Sequence, residues 1–364
     1  MKFGRLSLPD RIAGALLGVH AGDALGATLE FCSWASIRKS YPEGLREIVG
    51  GGRLRWPPGH ATDDTDLTRA VLLAYLQADA GTDLVRLAAD HMLAWLDGDW
   101  PGRLPGSRPR DIGGATLAGL EGYRRCGDPR ASGAGSGQAG NGSLMRCLPT
   151  ALAVADRCRR VSESIEISGI THHDERTVTS CAAYNEIAAA LLAGVPPRES
   201  VATGLVMAYG LGSIEVAGAI AVGQQLSLAT IAETGEIPFR GAASGYVLDS
   251  LSLAVAAVLD ERPFADVIVD IARIGNDSDT NAAIAGGLLG VRDGRPRSRG
   301  GGQPCSSSAP SSPQRAGCLP GGAAHRSFRW QRWIGQLAGC LRVFRDKSAE
   351  GHRIMIPVHA VSWQ

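Results

Sequence analysis

The stretch "RIAGALLGVHAGDALG", Arg11 to Gly26, spaces Gly14, Gly18, Gly22 and Gly26 four residues apart. On a helix, residues at i and i+4 lie one above another, so the four glycines form a single smooth stripe. Each glycine costs a helix about 1 kcal/mol relative to alanine. A helix carrying four of them needs tertiary packing to compensate, and the stripe lets another backbone approach closely. The stretch therefore predicts a helix with a partner at backbone distance.

The remaining composition agrees. Glycine occurs 48 times, aromatic residues make up only 5% and hydrophobic residues 44%, which suits closely packed helices around a sizeable core. Helical patterns recur over 67–80, 82–96, 145–157, 177–193, 199–208, 214–232, 244–260 and 263–274, and strand alternation is scarce. Residues 1–291 read as one all-α domain. "ASGAGSGQAGNGS" (131–143) contains G-x-G-x-x-G at Gly135, Gly137 and Gly140. A dinucleotide-binding fold needs a strand directly before that motif, and the preceding "EGYRRCGDPR" is polar and turn-like.

From Arg292 the character changes. "RDGRPRSRGGGQPCSSSAPSSPQRAGCLPGGAAHRS" holds one leucine and no valine, isoleucine or aromatic residue. It cannot bury a core and is expected to be disordered. "FRWQRWIGQLAGCLRVF" then reads as a short amphipathic helix near 328–345. Residues 292–364 carry eleven Arg and one Lys against Asp293, Asp346 and Glu350, a net +9. Residues 1–291 carry 25 basic and 33 acidic residues, a net −8. An acidic body thus bears a basic tail. The eight cysteines contain no CxxC pair, so no zinc ribbon or redox motif is indicated. With no signal-peptide pattern, they read as reduced thiols in a cytoplasmic protein. The apolar run Ile12–Ala21 contains His20 and falls short of the ~18–20 apolar residues of a membrane span. No membrane or nucleic-acid partner is expected, and the chain is expected to be a monomer.

Two acidic clusters carry the chemistry. "GHATDDTDLT" (59–68) crowds Asp63, Asp64 and Asp66 at the start of an apolar helix. Helix capping needs only one or two such carboxylates. "GNDSDTNAAIAGGLLG" (275–290) repeats the pattern with Asp277, Asp279 and Thr280. If the clusters meet, four carboxylates share one site and cannot all stay ionised without a counter-charge. Carboxylate and hydroxyl oxygens select Mg²⁺, Mn²⁺ or Ca²⁺ over zinc, and four Asp with two Thr suffice for two ions about 3.5–4 Å apart.

With these motifs in view, the chain resembles the ADP-ribosylglycohydrolases over nearly all of 10–291. "RIAGALLGVHAGDALGATLEF", "TDDT" (62–65), "GNGSLMR" (140–146), "THHD" (171–174) and "DSDT" (277–280) occur in family order. The resemblance implies an all-α fold, a dinuclear Mg²⁺ or Mn²⁺ centre, and hydrolysis of an N- or O-glycosidic bond between ADP-ribose and a protein side chain or small molecule. By position it implies Thr62, Asp63, Asp64, Asp277, Asp279 and Thr280 as metal ligands. Glu30 matches an acidic residue that gates the site or contacts metal and water. Glu30, Asp63 or Asp64 would be the general base. Asn141, Gly142 and Ser143 match a loop that cradles the diphosphate, and His172 a residue near the distal ribose. Tyr246, in "ASGYVLDSL", faces the adenine or its ribose, or is a core tyrosine. The family continues after "GGLLG" with ordered helices, where this chain enters its low-complexity stretch. Acceptor choice is expected in walls formed by loops such as 31–58 and 98–114. Two other readings compete. An HD-type phosphohydrolase would use His60, His173, Asp174 and Asp277, but leaves TDDT and DSDT unexplained. A non-catalytic ADP-ribose-binding member would keep the fold without turnover.

Overall fold

The glycine stripe meets its partner some 260 residues further along the chain. A computed structural model of the protein describes residues 6–239 and 243–295. Among the described residues there are α-helices and isolated bridges but no strands. In chain order these are α1 (Leu8–Gly26), α2 (Trp34–Ser40), α3 (Asp63–Gln77), α4 (Leu84–Leu96) and α5 (Gly114–Cys126). A 3₁₀ turn (Leu144–Arg146) leads to α6 (Leu148–Ala153), α7 (Arg157–Gly169), α8 (Glu175–Leu192), α9 (Pro197–Gly210) and α10 (Ile214–Gly223). They are followed by α11 (Leu228–Thr234), α12 (Val247–Leu259), α13 (Phe264–Ile274) and α14 (Ser278–Asp293). No strand precedes Gly135, as expected, and no single helix among the described residues is long and apolar enough to cross a membrane.

Helices α1 and α14 run antiparallel in backbone contact. A Cβ on Gly18 would lie 2.0 Å from the Gly286 carbonyl oxygen, and one on Gly290 would lie 2.0 Å from that of Gly14. Gly22 faces Ala282 in the same way, and Gly26 faces Asp279. The stripe thus has a matching small-residue stripe opposite. Both helices are buried along nearly their whole length. The antiparallel register brings the C-terminal end of α1 to the N-terminal end of α14, which fixes where the acidic clusters lie.

Three differences from the sequence expectation have local causes. Helix α7 carries no apolar periodicity because the residues it buries include Arg160, Ser164 and Ser168. Arg160 pairs with Glu186 of α8 at 2.6 Å, and Asn185 donates to Ser164 Oγ at 2.8 Å. The helix expected over 145–157 is cut to α6, which ends at Ala153 before Asp156 caps α7 through the amide of Arg159. The helix expected over 214–232 is broken, because Ser227 caps a new helix by accepting from the Thr230 amide. The two pieces, α10 and α11, meet at 79°.

The expected boundary at 291/292 falls inside α14. The Arg292 guanidinium donates to the carbonyls of Ala257, Val258 and Asp260 at the end of α12. The basic tail beyond residue 295, including the short helix expected near 328–345, lies outside the described residues.

Candidate active site

The two acidic clusters meet at the N-termini of α3 and α14. Thr62 caps α3 and donates from Oγ1 to Asp64 Oδ2 at 3.1 Å. Thr280 of α14 donates to the same oxygen at 3.4 Å. Glu30, just beyond the end of α1, Asp279 and Asp111 each bring a carboxylate oxygen within 4.8 Å of the others. Asp63, Asp64, Asp279 and Glu30 are buried. The positive ends of two helix dipoles offset part of this charge, each by about 0.3–1 kcal/mol per carboxylate.

That falls short of four or more buried acids. Burial, and then the neighbouring carboxylates, push Asp63, Asp64 and Asp279 well above the usual range and Glu30 up to about 11. The buried salt bridges of the described residues join other pairs, such as Arg160 with Glu186. Glu30 Oε2, Asp64 Oδ1 and Asp279 Oδ1 are buried without a hydrogen-bond partner there. Hard oxygen donors whose lone pairs meet no hydrogen-bond donor fit a divalent cation.

Two members of the site escaped the sequence reading. Asp111 lies in the loop before α5, in "SRPRDIGG", with nothing around it to mark it. Asp23 is a fully buried acid within α1. It accepts from the amides of Thr62 at 3.1 Å and Thr65 at 3.2 Å, and from the Thr65 hydroxyl. It therefore ties the start of α3 to α1. A signal for it existed, since a lone aspartate inside an otherwise apolar glycine helix needs partners. Asp66 turns away from the cluster and accepts from Trp95 Nε1 at 3.0 Å.

The strand-like link behind the cluster is held by strained backbone. Phe31 and Asn276 have φ of 61° and 56°, and their amides donate to the Asn276 and Cys32 carbonyls at 2.7 and 2.8 Å. Between them Gly275 has φ of 81°, and a Cβ there would sit 2.3 Å from the Cys32 oxygen. This stitching seats Asp277 beside Glu30.

The glycine loop closes the other side. Asn141 donates from Nδ2 to Asp277 Oδ2 at 2.6 Å and to Ser250 Oγ at 3.0 Å. Its side chain thus joins the loop to the acidic cluster. Gly142 lies against His172, with an added Cβ 3.0 Å from the ring. Ser143 points its hydroxyl inward, where it accepts from Ser168 Oγ at 2.8 Å and Cys181 Sγ at 3.6 Å. Tyr246 is half-buried beside the loop, and its hydroxyl accepts from Arg176 at 3.3 Å. Its ring packs against the core while its hydroxyl reaches Arg176. His173 and Asp174 do not join the acids: His173 is exposed, and Asp174 is engaged by Arg176 at 2.8 Å, which helps hold it down at about 2. The HD-type arrangement is therefore not assembled.

A cleft of about 250 Å³ opens beside the acids, lined by Trp56, His60, Thr62, Asp63, Asp66, Trp95 and Asp111, with Arg103, Arg108 and Arg110. Its walls come from both loops expected to govern acceptor choice. Arg110 covers Trp56 at 5.0 Å and donates to the Leu54 and Arg55 carbonyls, while Arg108 pairs with Glu121 at 3.2 Å.

The raised acids predict an unusual pH dependence. A folded-state value above the unfolded one gives a contribution that is intact below the unfolded value and lost as pH rises through the folded one. For Asp23, pushed by burial from 3.8 to about 6, and Glu30, from 4.5 to about 11, loss starts near pH 4 and continues into the alkaline range. Metal-free protein should therefore melt at lower temperature at pH 8 than at pH 5, and Mn²⁺ should restore most of the difference. Thermal melts across that range check it; a metal-free protein steadily more stable toward pH 8 would contradict the charge crowding.

The chain as a whole is similar to known proteins. The ADP-ribosylglycohydrolase family profile matches residues 5–297. The chain is 30% identical over 292 residues to the ADP-ribosyl-[dinitrogen reductase] glycohydrolase of Rhodospirillum rubrum, covering 79% of this chain and 87% of that protein. It is 32% identical over 293 residues to the ADP-ribosylarginine hydrolase Tri1 of Pseudomonas putida (strain GB-1), covering 78% and 70%. Among solved structures it is similar to an ADP-ribosylglycohydrolase-related protein complex, with a TM-score of 0.63, 28% identity, and 79% and 89% coverage.

Proposed function

The chain belongs to the ADP-ribosylglycohydrolase family of hydrolases, and on that premise we propose that it releases ADP-ribose from arginine side chains in a reaction that needs divalent cations. The observation that carries the metal requirement is the set of partnerless buried oxygens on Glu30, Asp64 and Asp279. The proposed ligands are Thr62, Asp63, Asp64, Asp277, Asp279 and Thr280, with Asp111 added. Bound there, Mg²⁺ or Mn²⁺ would supply Lewis-acid activation of water and of substrate hydroxyls.

The chain's own groups do the rest. Backbone amides around Gly142 and Ser143 take the diphosphate as an anion nest does. Asp277, held by Asn141, stands between that loop and the other acids. A positive charge developing on the ribose, as in other glycosidic cleavage, lies among carboxylates that stabilise it. Of the three candidate bases, Asp63 borders the cleft, whereas Asp64 is fully buried and bonded to two threonines. We assign Asp63 the proton-accepting role. The cleft takes the acceptor: its guanidinium groups are already engaged, and Asp63 and Asp111 leave a floor suited to a cationic acceptor. The name of the Pseudomonas putida relative, an ADP-ribosylarginine hydrolase, supports arginine as that acceptor.

Arginine-linked and serine-linked ADP-ribose incubated side by side, with Mn²⁺ or with a chelator, test this reading. Release from the arginine conjugate alone, and only with metal, is expected. Release from the serine conjugate at an equal rate would overturn the acceptor, and release in chelator would overturn the metal requirement.

A further inference from the structure

Behind the glycine loop lies a buried arginine that has no carboxylate partner among the described residues. Arg146 is fully buried, and its only bonded nitrogen among the described residues donates to Thr171 Oγ1 at 2.7 Å and the Ile167 carbonyl at 3.3 Å. Thr171 Oγ1 is also 2.8 Å from His172 Nδ1. Thr171 is fully buried, so its hydroxyl proton needs an acceptor. A guanidinium only donates. Among the described residues His172 Nδ1 is the one remaining partner, and it accepts only if it carries no proton. We propose that Arg146 and Thr171 are positioning residues that lock His172 in the neutral form protonated at Nε2, presenting an N–H donor to an oxygen of the bound ADP-ribose at Gly142.

The surroundings of the ring fit this role. The His172 amide donates to the Ser168 carbonyl at 2.9 Å, and its own carbonyl accepts from Thr177 Oγ1 at 3.1 Å, so the backbone is fixed. Gly140 and Gly142 face the Nε2 edge, where an added Cβ on either would lie 3.3 Å from Nε2. Thr116 Oγ1 abuts Gly142 from α5 and is buried without a partner among the described residues. Two polar groups thus converge on one glycine. Burial and the nearby Arg146 charge hold His172 down at about 3, so the ring stays neutral and acts as a donor rather than an acid.

This inference rests on the reading of His172 as a substrate contact, and the test separates the two. Nitrogen-15 NMR of the full chain with labelled histidine, at neutral pH, reports which ring nitrogen is protonated. Wild type is expected to show the Nε2–H pattern at His172. Thr171→Val should lose it, bind ADP-ribose about tenfold more weakly, and keep its Mn²⁺ affinity. Thr171→Ser should restore both properties. An Nδ1–H pattern in wild type, or a Thr171→Val protein with unchanged pattern and affinity, overturns the relay. Unchanged ADP-ribose affinity in His172→Ala, with the Nε2–H pattern present in wild type, overturns the substrate contact instead.

Discussion

Asp279→Asn is expected to lower the rate of ADP-ribose release at least about a thousandfold, equivalent to about 4 kcal/mol of transition-state stabilisation. Asp279 stands at the meeting point of the site, facing Gly26 of α1 and grouped with Glu30 and Asp111. Its Oδ1 has no protein partner among the described residues, so the substitution removes charge and a ligand without breaking a protein hydrogen bond at that oxygen. The same change takes one acid out of a crowded buried cluster. Metal-free Asp279→Asn should therefore melt at higher temperature than metal-free wild type, the trade between stability and activity found at strained sites. Initial rates and melts on the two proteins check both halves. Asp66→Asn serves as the contrast: it disturbs a bond to Trp95 and should leave the rate within about tenfold. A variant at Asp279 that kept its rate would remove that residue from the machinery.

Gly18→Ala is expected to destabilise the fold by more than about 4 kcal/mol, beyond the range of ordinary core overpacking. The new Cβ would fall 2.0 Å from the Gly286 carbonyl oxygen, and no rotamer change relieves a clash with backbone. The two helices would have to separate, and Glu30 would leave Asp279, so Mn²⁺ affinity should fall with stability. Gly218→Ala is the control. Gly218 lies on the exposed face of α10, where a Cβ meets nothing within 4 Å. There the substitution should stabilise the helix by up to about 1 kcal/mol. Denaturant titrations of the pair decide it; similar stabilities would mean that the α1–α14 contact is not what holds the site together.

These two residues also mark how far the sequence could be read. The four-residue glycine spacing predicted a backbone-distance partner, because nothing else compensates four glycines on one face. The matching Gly286 and Gly290 are recognisable only afterwards, since their stretch is small and apolar throughout. The acidic clusters were visible as excess charge at helix starts, and the structure brings them together on Asp64. Asp111 was not visible, because a single acid in a polar loop carries no periodicity. Nor was α7, whose buried face mixes Arg160, Ser164 and Ser168 with the single large apolar side chain of Ile167. Asn141 was read as part of a cradle, yet its amide is spent on Asp277 and Ser250. That is a pairing across more than a hundred residues that no local pattern encodes.

Calorimetric titration of the chain with Mn²⁺, repeated in buffers of different ionisation enthalpy, tests the central claim most directly. The claim is that crowded buried acids from two helix starts form a cation site. Burial and mutual repulsion raise the pKa values of those acids, so cation binding there should release protons. The account predicts saturable binding of two ions per chain, a heat that varies with the buffer because protons are released, and loss of that signal in Asp279→Asn. Absence of saturable binding, or binding with no proton release and no dependence on Asp279, would contradict it.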